Sequence, residues 1–330
     1  MGKKQPACQI FRYLPKRVIA AIAAIAKKNG WNNPKSGVRF YPATPLVKAI
    51  FLFYLKQMLS LEDLAMHLKE FGQVRRALGF GRYTPSKSTL SRFLRALGSQ
   101  PLEELFYDLV EILQEQGFLK GFHLAIDSTH VKAWSQRKSK DKKTDEFKYA
   151  KNCDFARLGM TPKGFMLCYR VHVATVTKSE IPVAVHIVPG NEHDRSIFED
   201  IFEKAVDQLP DPLAVSADKG YSSGKNRDLI QAAGAACIIR PTKTDLMGNP
   251  LDHFIPEGMT EKTYWTVYWR RNAVERTFAR TKGQLNLKRP RVVEEDPIKQ
   301  HVFLSFILHQ LLVFASAALG LKKTSFSTFR

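Results

Sequence analysis

Three acids stand where they could do chemistry together. Asp127 closes the apolar run FHLAID, Asp218 closes LAVSAD, and Glu275 is the single acid in the basic stretch YWRRNAVERTFARTKGQ. Apolar strands that run into an acid deliver it to the edge of a sheet, where open α/β sheets place their sites. On one continuous helix, at about 100° per residue, Tyr268, Arg271, Glu275 and Lys282 fall within roughly 60° of one another. Val274, Phe278 and Leu285 make an adjoining apolar stripe, and Arg276 and Arg280 project to another side. Taken singly, each Asp reads as a turn former and Glu275 as half of an exposed ion pair. Taken together, three carboxylates in a basic surround suit hard divalent cations, since Mg2+ is held by a few carboxylates plus substrate phosphate. Two such ions about 4 Å apart activate a nucleophile and stabilise the leaving oxygen of a phosphodiester. Without metal the three acids would repel one another and take up protons.

The chain around them has 330 residues, 44% of them hydrophobic, and a net charge of +20 with a pI near 9.8. That is a globular composition with room for a core-bearing catalytic domain and a smaller one. The charge calls for a large anionic partner, nucleic acid ahead of membrane. A noncatalytic basic protein of ribosomal or chaperone type is the lesser alternative on charge alone. The four cysteines form no CxxC pair, which argues against a zinc knuckle or a disulfide framework and fits a reducing cytoplasm. The opening MGKKQPACQIFRYLPKR lacks the apolar core of a signal peptide. The run His301 to Leu321 is nearly long enough to cross a bilayer, but His301, Ser305, His309 and Gln310 interrupt it. A buried helix is expected there, and no membrane partner.

What must position the acids can be read from periodicity. Residues 11–30 and 45–70 have helical spacing, and Ser60 with Asp63 makes an acidic capping box. In YTPSKSTLSRFLRALGS, Pro85, Ser86 and Ser88 signal a helix start, and Leu90, Phe93, Leu94 and Leu97 form a core stripe. Lys87, Ser91, Arg92 and Arg95 are left facing outward, as in a helix-turn-helix; a plain bundle with a solvated face accounts for them as well. Near residue 120 the period changes. FHLAID, FMLCYRVHVATV, IPVAVHIV, LAVSAD and ACIIRP read as strands, with helices after the third and fourth. A charged, mobile stretch is expected between the first two, and residues 242–266 read as irregular. The expected organisation is an all-α region at 1–115 and an α/β domain at 116–330, whose element order is that of the RNase H-like fold.

The pattern Tyr268-x2-Arg271-x3-Glu275-x6-Lys282 resembles the signature of bacterial insertion-sequence transposases of the DDE class. IDSTHVKA, PGNEHDRS and ADKGYSS resemble that family's blocks around the first Asp, the middle strand and the second Asp, so the resemblance covers roughly residues 120–315. It implies an RNase H-like catalytic domain, a mixed sheet flanked by helices, preceded by a helical DNA-binding region with Arg92 and Arg95 on its outer face. It implies Asp127, Asp218 and Glu275 as a catalytic triad holding two Mg2+ ions, with Mn2+ as a substitute. Tyr268, Arg271 and Lys282 would bind the transposon end. The partners implied are double-stranded terminal inverted repeats and target DNA, met by a homodimer or larger synaptic complex in the nucleoid-containing cytoplasm. The stretch from Asp218 to Glu275 is too short for the large β insertion of some relatives. Two rivals stand beside this reading: a noncatalytic DNA-binding descendant of such an enzyme, and an RNase H-like nuclease without strand transfer.

Other residues carry weaker signals. His193 and Asp194 read as loop-structuring, with metal contact as the alternative. Strand alternation puts His123 and Asp127 on one face and His130 on the other, which weakens a His/Asp site. Trp134, Trp265 and Trp269 read as core residues before they read as base-stacking ones. The run QRKSKDKKTDEFK reads as a solvated loop with nonspecific phosphate contact as its alternative.

Overall fold

A computed structural model describes Phe11, Trp31, Phe326 and residues 16–28, 41–119, 123–161, 164–288 and 290–321. Before residue 120 the regular elements are α1 (Lys16–Lys28), α2 (Ala43–Leu55), α3 (Leu61–Glu70), α4 (Gly72–Leu78), α5 (Lys87–Leu97) and α6 (Gln100–Glu115). Then come β1 (His123–Lys132), β2 (Arg157–Thr161), β3 (Gly164–Val176), β4 (Ile181–Pro189), α7 (Asp194–Gln208), β5 (Ala214–Ala217), α8 (Gly224–Ala232) and β6 (Ala236–Ile239). The chain continues through α9 (Lys243–Gly248), α10 (Glu261–Trp269), α11 (Asn272–Gln284) and α12 (Glu295–Ala318).

The chain divides into two compact units. One comprises Met1–Leu109, Arg280–Lys288 and Asp296–Arg330, and the other Val110–Ala279 and Arg289–Glu295. A single cut after residue 115 therefore differs from the observed division, because the last long helix goes with the N-terminal ones.

In the helical unit the caps are those expected. The Asp63 amide donates to Ser60 Oγ at 3.2 Å, while Asp63 Oδ2 accepts from the Ser60 amide at 2.9 Å. Ser86 caps α5 by accepting from the Thr89 amide, and Leu90, Phe93 and Leu97 are buried while Arg92 and Arg95 are exposed. Helix α12 is apolar all round, and 89% of its most apolar window is buried, the packing of a core helix. Three of its buried polar residues have hydrogen-bond partners inside the unit, whereas His309 has none among the described residues. His301 Nδ1 meets the Tyr54 hydroxyl at 2.9 Å, Ser305 donates to the His301 carbonyl, and the Gln300 amide donates to the Leu94 and Gly98 carbonyls.

In the α/β unit the described strands form one six-stranded mixed sheet, with the order β2-β3-β1-β5-β6 and β4 also paired to β3. β3 runs antiparallel to β1, β2 and β4, whereas β1, β5 and β6 are parallel. β2 and β4 share one edge of β3 end to end, since Cys168 pairs with Arg157 and Tyr169 with Pro189. Their junction needs two glycines: a Cβ at Gly159 would collide with the Gly190 carbonyl, and one at Gly190 with Cys168. β3 is thirteen residues long; its start at Gly164 and Phe165 is exposed, and from Leu167 onward it is buried except at half-buried Arg170, as a central strand covered on both faces should be. The charged stretch before it is not featureless. It carries a bridge between Arg137 and Ala150 and a 3-10 turn at Asp145–Lys148.

Candidate active site

Asp127 does not end its strand. β1 continues to Lys132, and residues 127–132 pair with β3 from Asp127↔Val173 to Lys132↔Cys168. What ends is the parallel pairing on the other side: β5 is only four residues long, and its last pair is Ile126↔Ala217. Asp127 and Asp218 are thus the next residues on neighbouring strands, where β1 loses its parallel neighbour. Such a crevice at the carboxyl end of parallel strands is where open sheets hold their sites. Asp127 is largely buried, and its Oδ1 accepts from the Ser128 amide at 2.8 Å. Asp218 is half-buried and accepts from the Lys219 amide at 2.7 Å.

Glu275 arrives from a helix that is not continuous with Tyr268. α10 stops at Trp269, and Arg270 and Arg271 form a tight turn before α11. The turn is closed by i→i−3 bonds, from the Arg271 amide to the Tyr268 carbonyl at 2.9 Å and from Val274 to Arg271 at 3.0 Å. The expected single helix is therefore broken. Asn272 starts the second piece, in keeping with its poor fit to helix interiors. The apolar stripe survives, with Val274, Phe278 and Leu285 all buried. The break aims Arg271 inward. Its Nη1 donates to Asp127 Oδ2 at 2.5 Å and its Nη2 to Glu275 Oε1 at 2.8 Å, with its guanidinium 5.7 Å from the Tyr268 ring centre. One guanidinium spans the strand acid and the helical acid. Tyr268 itself is buried against Ala214, Ile238 and Tyr264.

Burial pushes the Asp127 carboxyl up to about 6. Arg271 and the Ser128 amide pull it down, while Asp218 and Asp194 add to the rise. Asp194 is the fourth acid of the site, and its own carboxyl is raised by burial. Its Oδ2 accepts from Arg170 Nη2 at 2.5 Å and its Oδ1 from the Ser128 hydroxyl at 2.8 Å. Arg170 also donates to Ser128 Oγ at 3.0 Å and to the Glu192 carbonyl at 2.9 Å. In the sequence Asp194 reads as a loop residue and Arg170 goes unmarked, because a lone Arg in a strand has no pattern.

Residues 120–311, more than half of the chain, match the family described as Transposase DDE domain. The chain belongs to this transposase family. No curated protein matches it in sequence. Its fold is similar to that in the cryo-EM structure of the piggyBac transposase synaptic complex with hairpin DNA, with a TM-score of 0.51 and 10% identity over 98% of this chain and 78% of that one. The crystal structure of the Mos1 strand transfer complex aligns at a TM-score of 0.23 and 12% identity over 77% of this chain and 81% of that one. The protein is accordingly a DNA transposase, an enzyme of DNA cleavage and strand transfer.

Transposases of this family generally use divalent metal ions. The donor chemistry here fits: neighbouring carboxylates, one of them pushed up by burial and by its acidic neighbours. Among the described residues no three His, Cys, Asp or Glu side chains converge as a metal cage. Arg271 stands between Asp127 and Glu275 instead.

The remaining candidates of the transposase fall elsewhere. Lys282 lies in the helical unit, half-buried, its ammonium pKa lowered by burial and by Lys288. Arg92 and Arg95 are on the outer face of α5 in that same unit. His123 is buried on Ser216 Oγ at 3.1 Å and pushed down to about 4 by burial, the state of a structural histidine. Trp134 and Trp269 are exposed, against the expectation of core packing, and Arg291 lies 5.4 Å from the Trp134 ring. A cleft of about 1000 Å³ shares Arg170 and Asp194 with the acid site and is rimmed by exposed Met160 and Phe165.

Proposed function

We propose that Asp127, Asp218 and Glu275 are the catalytic acids of an RNase H-like transposase that cleaves the ends of a bacterial insertion element and joins them to target DNA. The observation that carries this reading is the Arg271 bridge, which sets the helical acid against the strand acid beside Asp218. Asp127 and Asp218 would hold Mg2+, or Mn2+ in its place, with Glu275 completing a two-ion set. When bound, such ions supply activation of the attacking oxygen and stabilisation of the leaving one.

The chain's own residues do the rest. The Ser128 and Lys219 amides fix one oxygen of each Asp, and Arg271 holds the other oxygen of Asp127. Arg271 neutralises Asp127 and Glu275 in the free protein, and the planar fork that spans two carboxylates also matches a phosphate. Tyr268 acts beneath it as a packed support. Lys282, together with Arg92 and Arg95 on α5, would meet the phosphates and base edges of the terminal repeat, with duplex DNA as partner and a homodimer as the smallest synaptic unit. A cytoplasmic, nucleoid-associated location follows from that partner.

Alanine at Asp127, Asp218 or Glu275 tests the assignment. Each variant is expected to lose cleavage in Mg2+ while keeping its affinity for end DNA, because affinity comes from the basic surface. Cleavage near the wild-type rate by any one of them would remove that residue from the triad.

A further inference from the structure

The two strand acids are followed by residues that meet on one carboxylate. Ser128, next to Asp127, donates its hydroxyl to Asp194 Oδ1. On the other side, Gly220 packs on the same group: a Cβ there would lie 3.0 Å from Asp194 Oδ2. Tyr221, fully buried, places its hydroxyl 2.8 Å from His172 Nδ1, which itself lies 3.9 Å from Asp194 Oδ1. Arg170, from β3, closes the arrangement by holding Asp194 Oδ2, Ser128 Oγ and the Glu192 carbonyl with three separate N–H groups. Asp194 opens α7, so it belongs to neither strand that bears the acids. The Arg170–Asp194 pair is largely shielded, with 18% of each side chain exposed. Its hydrogen bonds are therefore little weakened by competing water.

β1 and β5 are joined by ladder bonds only up to Ile126↔Ala217, so nothing in the ladder fixes the spacing of the next two residues. The Asp194 carboxylate spans that gap. We propose that Asp194, held by Arg170, is a positioning residue that sets the separation of Asp127 and Asp218 by tying Ser128 to the Lys219–Tyr221 turn. It touches no reacting atom and acts through the backbone that follows each acid. The inference rests on Asp127 and Asp218 being the catalytic pair.

The test compares Ser128→Ala, Arg170→Lys and Asp194→Asn in the full chain with wild type and with Asp127→Ala. The measurements are Mn2+ binding without DNA, cleavage of end DNA across a Mn2+ series, end-DNA affinity and melting temperature. Outer groups that orient metal ligands are worth roughly 10- to 100-fold in metal affinity or activity. Ser128→Ala and Arg170→Lys should each weaken Mn2+ binding about 10-fold, and Asp194→Asn nearer 100-fold, on the same scale. End-DNA affinity should stay unchanged, and excess Mn2+ should restore part of the cleavage lost in Ser128→Ala. A pair that merely fastened α7 to the sheet would lower the melting temperature without moving the Mn2+ midpoint, and that result overturns the proposal. If Asp194→Asn does not fold, Ser128→Ala decides, because it leaves the Arg170–Asp194 pair intact. Cleavage by Asp127→Ala would instead refute the catalytic pair, and so is told apart from failure of the positioning role.

Discussion

Replacing Arg271 with Gln separates two roles that the same contacts could serve. As a strut, Arg271 would hold Glu275 in place for metal, and its loss would weaken metal binding. As a resident counter-cation, it competes with metal for Asp127 and Glu275, and its loss would tighten binding. The geometry favours competition, because both hydrogen bonds end on the carboxylate oxygens that a cation would need. A hydrogen bond to a charged group is worth about 1.5–3 kcal/mol. The Glu275 arm is discounted, since its side chain is 53% exposed. That leaves about 2 kcal/mol from the Asp127 arm, or roughly 30-fold at about 1.4 kcal/mol per decade. The assay is Mn2+ titration without DNA at pH 8, well above the raised range of Asp127, so that protons do not compete. Arg271→Gln should bind about 30-fold tighter and gain more melting temperature from Mn2+ than wild type. Cleavage should nonetheless fall by about 100-fold or more, as when a positioned cation is lost from a developing charge. Weaker Mn2+ binding by the variant would refute the competition.

Two further outcomes follow from other parts of the chain. Arg92→Ala and Arg95→Ala should each lower the salt slope of end-DNA binding by about one charge, leaving Mn2+ binding unchanged; an unaltered slope for both would remove α5 from the interface. His309, fully buried with neither ring nitrogen hydrogen-bonded, is pushed down to about 3 by burial and Arg280. Above the unfolded value of about 6.5 it is neutral in both states and costs nothing; as pH falls from there towards 3 the unfolded chain binds the proton first, and stability drops by about 1.4 kcal/mol per pH unit. His301, pushed down to about 4, adds to the same limb. His309→Leu should flatten the urea-measured acid limb between pH 6.5 and 4.5 by about one proton, and an identical slope would exclude it as a contributor.

Strand and helix identity in the α/β unit was legible because each run matches a single period. FMLCYRVHVATV, buried on both faces, is β3 almost to the residue, and DRSIFEDIFEKAVDQ is α7. Element ends were less so. β1 outlasts Asp127 because β3 is long enough to pair with it, and partner length is not written in β1 itself. The break at Arg270 and Arg271 was hidden because both residues suit a helix and the turn keeps helical hydrogen bonding with a shorter step. Residues 242–266 looked irregular, yet Thr242 and Asp245 form a capping box over α9, and Thr260 caps α10. For α12, apolarity on every side announced burial but not the neighbours that supply it. The two strand Asp residues and the helical Glu were readable as a set. Their management by Arg170 and Arg271 was not, since both contacts join residues far apart in sequence.

Charge bookkeeping within the site explains why a chain so rich in bases turns two of them inward. Asp127, Asp218, Asp194 and Glu275 bring four negative charges when ionised, and among the described contacts Arg170 and Arg271 are the cationic side chains that hydrogen-bond to them. Arg170 is committed, because its three donor contacts all go to fixed protein atoms around Ser128. Arg271 is not: one of its two carboxylate partners is half in solvent, and the turn that carries it is a break between helices. The two arginines thus divide the work by geometry. One is locked by the sheet and the start of α7, and fixes distances. The other sits on the turn between α10 and α11, with a charge it could exchange. Release of Arg271 would leave the strand acids and Glu275 more negative by one charge at the moment a DNA phosphate offers the guanidinium an equally good bidentate partner. Binding of DNA and readiness for divalent cation would then be coupled through a single side chain, and linkage would make the coupling reciprocal. End DNA should therefore tighten Mn2+ binding in wild type by more than it does in Arg271→Gln, and equal gains in both would break the coupling while leaving the catalytic acids in place.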